Sequence, residues 1–169
     1  MITIRIMNED ERERVGVFVQ NTMRKRYKCD AYELPKIVFS AWRGGELLGA
    51  MGLSMSDGAP FSLEKSYALD YRTFPTAFER TKIVELGRWS VAVPHISEAL
   101  MYAAICYALQ HQREWGIGEV KPQVARRFAS FADPPSKIIL WGMIARPFFT
   151  LSLALSIKTY NNMESALSI

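Results

Sequence analysis

Glu85 and Arg88, three residues apart in Val84-Glu85-Leu86-Gly87-Arg88-Trp89-Ser90-Val91, have the types and spacing to do chemistry together. The stretch reads as a strand. Alternation puts Ile83, Glu85, Gly87, Trp89 and Val91 on one face and Val84, Leu86, Arg88 and Ser90 on the other. Both faces are mainly apolar, the pattern of a central strand covered on both sides. A carboxylate in such surroundings is costly unless it is paired or protonated. Glu85 is therefore either half of a structural pair with Arg88 or a proton acceptor, the role an attacking amine requires. Arg88 would orient Glu85, or hold a substrate carboxylate with two parallel hydrogen bonds. Residues three apart in a regular strand face opposite sides, so pairing them needs a bulge, expected at Gly87.

Two other groups of reactive side chains stand out. Lys121, Arg126 and Arg127, with Arg113 nearby, form a basic cluster at the start of a late helix. It suits docking of an acidic protein, or is simply a solvated helix face. Cys106 and His111, five apart, have the types of a thiol–imidazole pair. Cys106 between Ile105 and Tyr107 reads better as a core filler. No Cys/His spacing of a metal site occurs, and no metal is expected.

The elements that must position these residues alternate in type. Asn8 to Tyr27 predicts a helix with Val15, Phe18, Val19, Thr22 and Met23 on its buried face and Asn8 or Asp10 as cap. Lys36–Trp42 and Glu46–Ser54 predict a hairpin turning at Arg43-Gly44-Gly45. Phe61 to Arg80 reads as irregular or partly helical. Lys82 to Val93 is the central strand. Ser97 to Trp115 predicts a helix capped by Ser97 and ended by Gly116, with Leu100, Ala103, Ala104, Tyr107, Ala108, His111 and Trp115 as its stripe. Ile117–Lys121 follows as a strand, then a helix from Pro122 to about Phe131. Ile138–Ile157 is apolar and long enough for a membrane span, but Arg146-Pro147 interrupts it. Two strands of the domain are expected there. This order predicts an α/β fold in a single domain over 1–169.

The 169 residues carry 49% hydrophobic and 22% charged residues and a net charge of +4. That is a globular composition with a mild preference for acidic partners. A nucleic-acid motif is absent, so no nucleic-acid partner is expected. Two cysteines make no disulfide framework, and Met1-Ile2-Thr3-Ile4-Arg5 runs into charges rather than an apolar leader. A cytoplasmic setting is expected.

The order of elements resembles the N-acetyltransferase (GNAT) superfamily. Glu85-Leu86-Gly87-Arg88-Trp89-Ser90-Val91 is similar to the Glu-x-x-Arg-aromatic-x-Val strand of acyl-homoserine-lactone synthases and N-acyl amino acid synthases. Thermostable hemolysins are similar through Gly49-Ala50-Met51-Gly52-Leu53, Phe61-Ser62-Leu63-Glu64, Leu69-Asp70, Ala132-Asp133-Pro134 and Trp141-Gly142 as well. The resemblance spans roughly residues 10 to 145. It implies a GNAT-like three-layer α/β fold, with a mixed central sheet whose bulged, splayed central strand is flanked by helices. It also implies transfer of a fatty acyl group from a carrier thioester to an amine of an amino-acid-like acceptor. Glu85 and Arg88 would be catalytic. Trp89, Ser90, Val91, Phe131 and Trp141 would bind substrate, and Arg113, Lys121, Arg126 and Arg127 would bind the carrier. No cofactor would be resident; an acyl carrier protein thioester or acyl-CoA would be the donor. CoA-using members carry a glycine loop that cradles pyrophosphate at a helix start. Pro94-His95-Ile96-Ser97-Glu98 stands there without glycine, which favours an acyl carrier protein as partner. Two rival readings are a non-catalytic binding protein on this fold and a membrane-active, hemolysin-like protein.

Overall fold

A computed structural model describes residues 1–30, 33–67, 79–120, 138–143 and 150–156; of these, 66–67, 119–120, 138–143 and 150–156 are described by their backbone alone. Lys121, Arg126, Arg127 and Phe131, with the late helix expected there, lie outside the described residues. The chain divides into two compact units. One comprises Met1–Ser54 and Leu86–Cys106, the other Met55–Glu85 and Tyr107–Ile169.

The first unit is an antiparallel sheet covered by helix α1 (Arg12–Tyr27). Strand β1 (Thr3–Ile6) pairs with β2 (Ile37–Arg43), and β2 pairs with β3 (Glu46–Met55). The helix follows a 3-10 turn at Glu9–Glu11 opened by a capping box. There Asn8 Oδ1 accepts from the Glu11 N–H at 3.0 Å, and Glu11 Oε2 accepts from the Asn8 N–H at 3.3 Å. Val15 and Val19, one turn apart, are fully buried against Met7, Val38, Trp42, Leu47 and Ala50, with Phe18, Met23 and Leu34 at the margin. This is the stripe that helical spacing predicts. The hairpin turn uses Gly44 and Gly45 at φ 55° and 84°, the backbone of a tight turn whose hand matches strand twist. Residue pattern does not predict strand β1, because its four residues are mostly exposed and Arg5 breaks the apolar pattern.

Glycine brings the layers of this unit close. A Cβ on Gly49 would stand 3.0 Å from Ile96, Leu100 and Val91, so its absence seats helix α3 (Ile96–Gln110) on the sheet. A Cβ on Gly52 would stand 2.6 Å from the Pro35 ring and 3.3 Å from the Gly87 carbonyl oxygen. Neither a proline ring nor a backbone carbonyl yields easily. Gly52→Ala is expected to cost about 1–3 kcal/mol, the usual range for overpacking. Urea denaturation checks this, and an unchanged midpoint would mean that Pro35 does not press on β3.

Strand β4 (Ile83–Val91) starts in the second unit and ends in the first. Its end runs along β3: the Ala92 N–H donates to the Leu48 carbonyl at 2.8 Å, while Gly52 lies by Gly87, an antiparallel sense. Its first three residues pair in parallel with β5 (Trp115–Val120), as Ile83↔Trp115, Val84↔Gly116 and Glu85↔Ile117. Strand β5 pairs antiparallel with β7 (Thr150–Ser156), which pairs with β6 (Ile138–Met143). The second unit also holds the short helix α2 (Ser62–Tyr67). The α/β class and the mixed sheet are those that the sequence predicts.

Two expectations need correction. Helix α3 stops at Gln110, not Trp115. Gln112 takes φ 57°, the Arg113 N–H returns to the Ala108 carbonyl at 2.9 Å, and the Glu114 N–H donates to the Lys82 carbonyl at 2.8 Å. Trp115 fits the helical stripe by type, but pairing with Ile83 makes it the first residue of β5. The helix also begins at Ile96, one residue before its expected cap Ser97, from a turn in which the Ile96 and Ser97 amides donate to Val93 and Pro94. The apolar run from Ile138 forms two strands, as expected, and no helix among the described residues is long and apolar enough to cross a membrane.

Candidate functional site

Glu85 is 7% exposed, a carboxylate taken almost wholly out of water. Its solution is not the ion pair that the Glu85–Arg88 spacing suggests. Glu85 Oε2 accepts from the Ser62 N–H and Oε1 from the Leu63 N–H, both at 2.8 Å. These are the first two amides of α2, and the opening amides of a helix have no partner within it. A negative charge there also meets the positive end of the helix dipole, though α2 is short. Both oxygens are thereby fixed in one orientation, and each keeps a further lone pair.

The start of α2 is held from its other side as well. Glu64 Oε2 accepts from the Phe61 N–H at 2.5 Å, the reciprocal half of a capping box. Arg80 grips Glu64 with two donors, Nε to Oε1 at 2.8 Å and Nη2 to Oε2 at 3.0 Å. The same guanidinium donates to the Ala59 carbonyl at 2.6 Å and lies 4.8 Å over the ring of Phe61, itself fully buried. Sequence reasoning missed this network. The available signal was a Glu three residues after Phe61, but Phe is no cap by type, and nothing local indicates that Glu85, more than twenty residues on, supplies the missing acceptor.

Arg88 is half-buried and takes φ 55°, the left-handed region in which an L side chain costs about 1–2 kcal/mol. The left-handed backbone thus stands at the residue after Gly87, where the sequence predicts a bulge. Gly87 keeps a negative φ, and a Cβ there would meet nothing within 4 Å. The strand is correspondingly less enclosed than both-face apolarity suggests. Leu86, Gly87, Arg88 and Trp89 are half-buried, whereas Ile83, Val84, Glu85, Ser90 and Val91 are buried. Ser90 is fully buried, and its hydroxyl has no hydrogen-bond partner among the described residues. Backbone strain at a charged residue in a central strand is the kind of feature that clusters at functional sites.

The remaining candidates are dispersed. Arg113 is engaged in its own unit, donating from Nη1 to Ser56 Oγ at 3.2 Å and to the Thr81 carbonyl. Trp141 lies in β6 opposite Ser152 in the backbone register. Cys106 is a half-buried free thiol, and His111 stacks on Tyr107 with ring centroids 4.1 Å apart. No group of three or more His, Cys, Asp and Glu among the described residues is placed to hold a metal. The turn before α3 carries Pro94 and His95 and no glycine.

Neither a protein-family model nor a curated protein matches the chain. Solved structures do. FeeM, an N-acyl amino acid synthase from uncultured soil microbes, superposes with a TM-score of 0.72 at 14% identity, over 95% of this chain and 93% of that one. The acyl-homoserine-lactone (AHL) synthase LasI gives 0.69 at 11% identity, over 93% and 90%. MesI, a CoA-dependent acyl-homoserine lactone synthase, gives 0.65 at 11% identity, over 99% and 96%. Likeness at these identities establishes the fold, that of the GNAT-like acyltransferases.

Proposed function

We propose that this protein is an N-acyltransferase that moves a fatty acyl group from a carrier thioester to the amine of an amino-acid-like acceptor. The observation that carries the proposal is the β4 strand itself. It carries a fixed, buried carboxylate at Glu85 and, three residues on in sequence, a strained, half-buried Arg88. This happens on a fold shared with an N-acyl amino acid synthase and two acyl-homoserine-lactone synthases. Fold alone does not fix chemistry, and these residues are what could perform it.

In the proposed reaction the amine nitrogen attacks the thioester carbonyl carbon. An N–C bond forms, the C–S bond breaks, and the thiolate leaves. Glu85 takes the amine proton through a lone pair that its two amide donors leave free. Holding the carboxylate in one orientation removes the cost of arranging it at the moment of reaction. Arg88 holds the acceptor's carboxylate, for which a planar guanidinium is suited. Backbone amides of the Trp89–Val91 stretch polarise the thioester carbonyl. Trp89, Val91, Phe131 and Trp141 are assigned to the acyl chain. Lys121, Arg126 and Arg127 remain candidates for the donor's carrier; Arg113 is given up, because its guanidinium already serves Ser56 and Thr81.

The donor is either an acyl carrier protein or acyl-CoA. MesI is described as CoA-dependent, and CoA is therefore a live alternative. The turn before α3 without glycine supports the carrier protein. A cytoplasmic site, where such thioesters are made, accords with two free cysteines. Mass spectrometry of lipid extracts from overproducing cells tests the proposal. N-acylated amino-acid-like products should accumulate with the wild-type protein and vanish with a doubly substituted Glu85→Gln/Arg88→Ala protein. Identical extracts from both would contradict it.

A further inference from the structure

The strongest charge feature outside the candidate site is the end of α1. Between residues 24 and 30, four cations (Arg24, Lys25, Arg26 and Lys28) stand against one acid (Asp30), which accounts for three of the chain's four net positive charges. All five are exposed. Arg24 is partly spent, since its Nε meets Asp30 Oδ1 at 2.6 Å. Lys25, Arg26 and Lys28 make no ion pair among the described residues. Val17, Asn21, Arg24 and Lys25 follow one another at helical spacing along a single exposed face, and Lys28 caps the helix end in the left-handed conformation, φ 57°. Val17 stands 55% exposed, an aliphatic contact in the same stripe. The stripe is one aliphatic residue followed by cations, on a helix fixed by its buried opposite face.

This helix is also joined to the strand that carries Arg88. Leu34 packs 3.8 Å from the Cβ position of Gly16, and Arg12 Nη2 donates to the Leu34 carbonyl at 2.8 Å. The next residue, Pro35, presses on Gly52 where the Gly87 carbonyl oxygen also arrives. All of these residues belong to one compact unit.

We infer that the exposed face of α1 from Val17 through Lys25, with Lys28 at its C-cap, is a docking surface for an acidic helical protein, the carrier that delivers the acyl thioester. The inference rests on the acyl-transfer reading for the identity of the carrier. Three observations select a protein as the occupant. Cations arrayed along a rigid helix complement an acidic helix and steer its approach. A membrane-bound helix needs a broad apolar face, and Val17 is the one large exposed apolar residue in α1. The turn before α3 lacks the glycines that would bind CoA through its pyrophosphate, so affinity for the donor has to come from elsewhere.

Binding can be measured without turnover. A fluorescently labelled holo acyl carrier protein is titrated with the wild-type protein at low salt and followed by anisotropy. Lys25→Glu/Lys28→Glu is expected to weaken binding by about tenfold or more and to flatten its salt dependence, with Lys25→Gln/Lys28→Gln intermediate. Circular dichroism confirms that both variants are folded. The inference is overturned if the wild type does not bind the carrier protein, or if both variants bind it as the wild type does. It is overturned equally if only reversal at Lys121, Arg126 and Arg127 abolishes binding, or if the α1 variants lose affinity for phosphatidylglycerol vesicles alone. Carrier binding through α1 with no acyl product would sink the enzyme reading and keep the docking surface. Turnover of a small-molecule thioester with no carrier binding would do the reverse.

Discussion

Glu85→Gln is expected to lose both stability and transfer activity, and the two losses have separate causes. The glutamine carbonyl can accept from one of the Ser62 and Leu63 amides, but its NH2 group then faces the other donor. One buried N–H left unsatisfied costs about 1–3 kcal/mol. Glu85→Ala orphans both amides, so its cost is expected at about 2–5 kcal/mol. The expected order of stability in urea is wild type, then Gln, then Ala. Removal of the proton acceptor lowers the rate by about 10²–10⁴-fold, which is read at a temperature where the Gln variant is fully folded. Equal stability of the wild type and Gln would contradict the anchoring of α2. Full activity in a folded Gln variant would remove Glu85 from the chemistry and leave it as an anchor alone.

The second large effect is expected at Arg88, where backbone and side chain can be separated. Both Arg88→Gly and Arg88→Ala delete the guanidinium, but only glycine adopts φ 55° without strain. Arg88→Gly is therefore expected to be about 1 kcal/mol more stable than Arg88→Ala. Transfer to an acceptor that carries a carboxylate should fall about 30- to 1000-fold in both, the worth of a charged anchoring contact. An acceptor amine without a carboxylate should lose far less. Equal stability of the two variants would mean that the left-handed turn lies elsewhere in the strand. Equal losses with both acceptors would show that Arg88 does not hold the carboxylate.

How much of this was legible in the sequence depends on the range of the interaction. The capping box at Asn8 and Glu11, the Val15–Val19 stripe and the Gly44-Gly45 turn are set by neighbours within a few residues, and local pattern finds them. Glu85 and Arg88 stand out because charges are rare in such a strand, but the partner of Glu85 lies over twenty residues upstream in a stretch with no clear periodicity. Proximity in sequence suggested Arg88 as that partner, whereas the opening amides of a helix satisfy a carboxylate equally well. The left-handed backbone at Arg88 is invisible by type, since glycine beside it is the residue that ordinarily takes such a conformation. Trp115 shows the same limit: an apolar aromatic suits a helix stripe and a strand alike, and pairing across to Ile83 decides between them.

The most direct test of acyl transfer uses purified protein, a medium-chain acyl thioester offered in turn on an acyl carrier protein and on CoA, and a pool of amino acids. Free thiol and N-acyl product are both measured. Thiol release is expected to depend on the amine, with one amide formed per thiol and both lost in Glu85→Gln/Arg88→Ala. No amine-dependent thiol release from either donor would contradict acyl transfer.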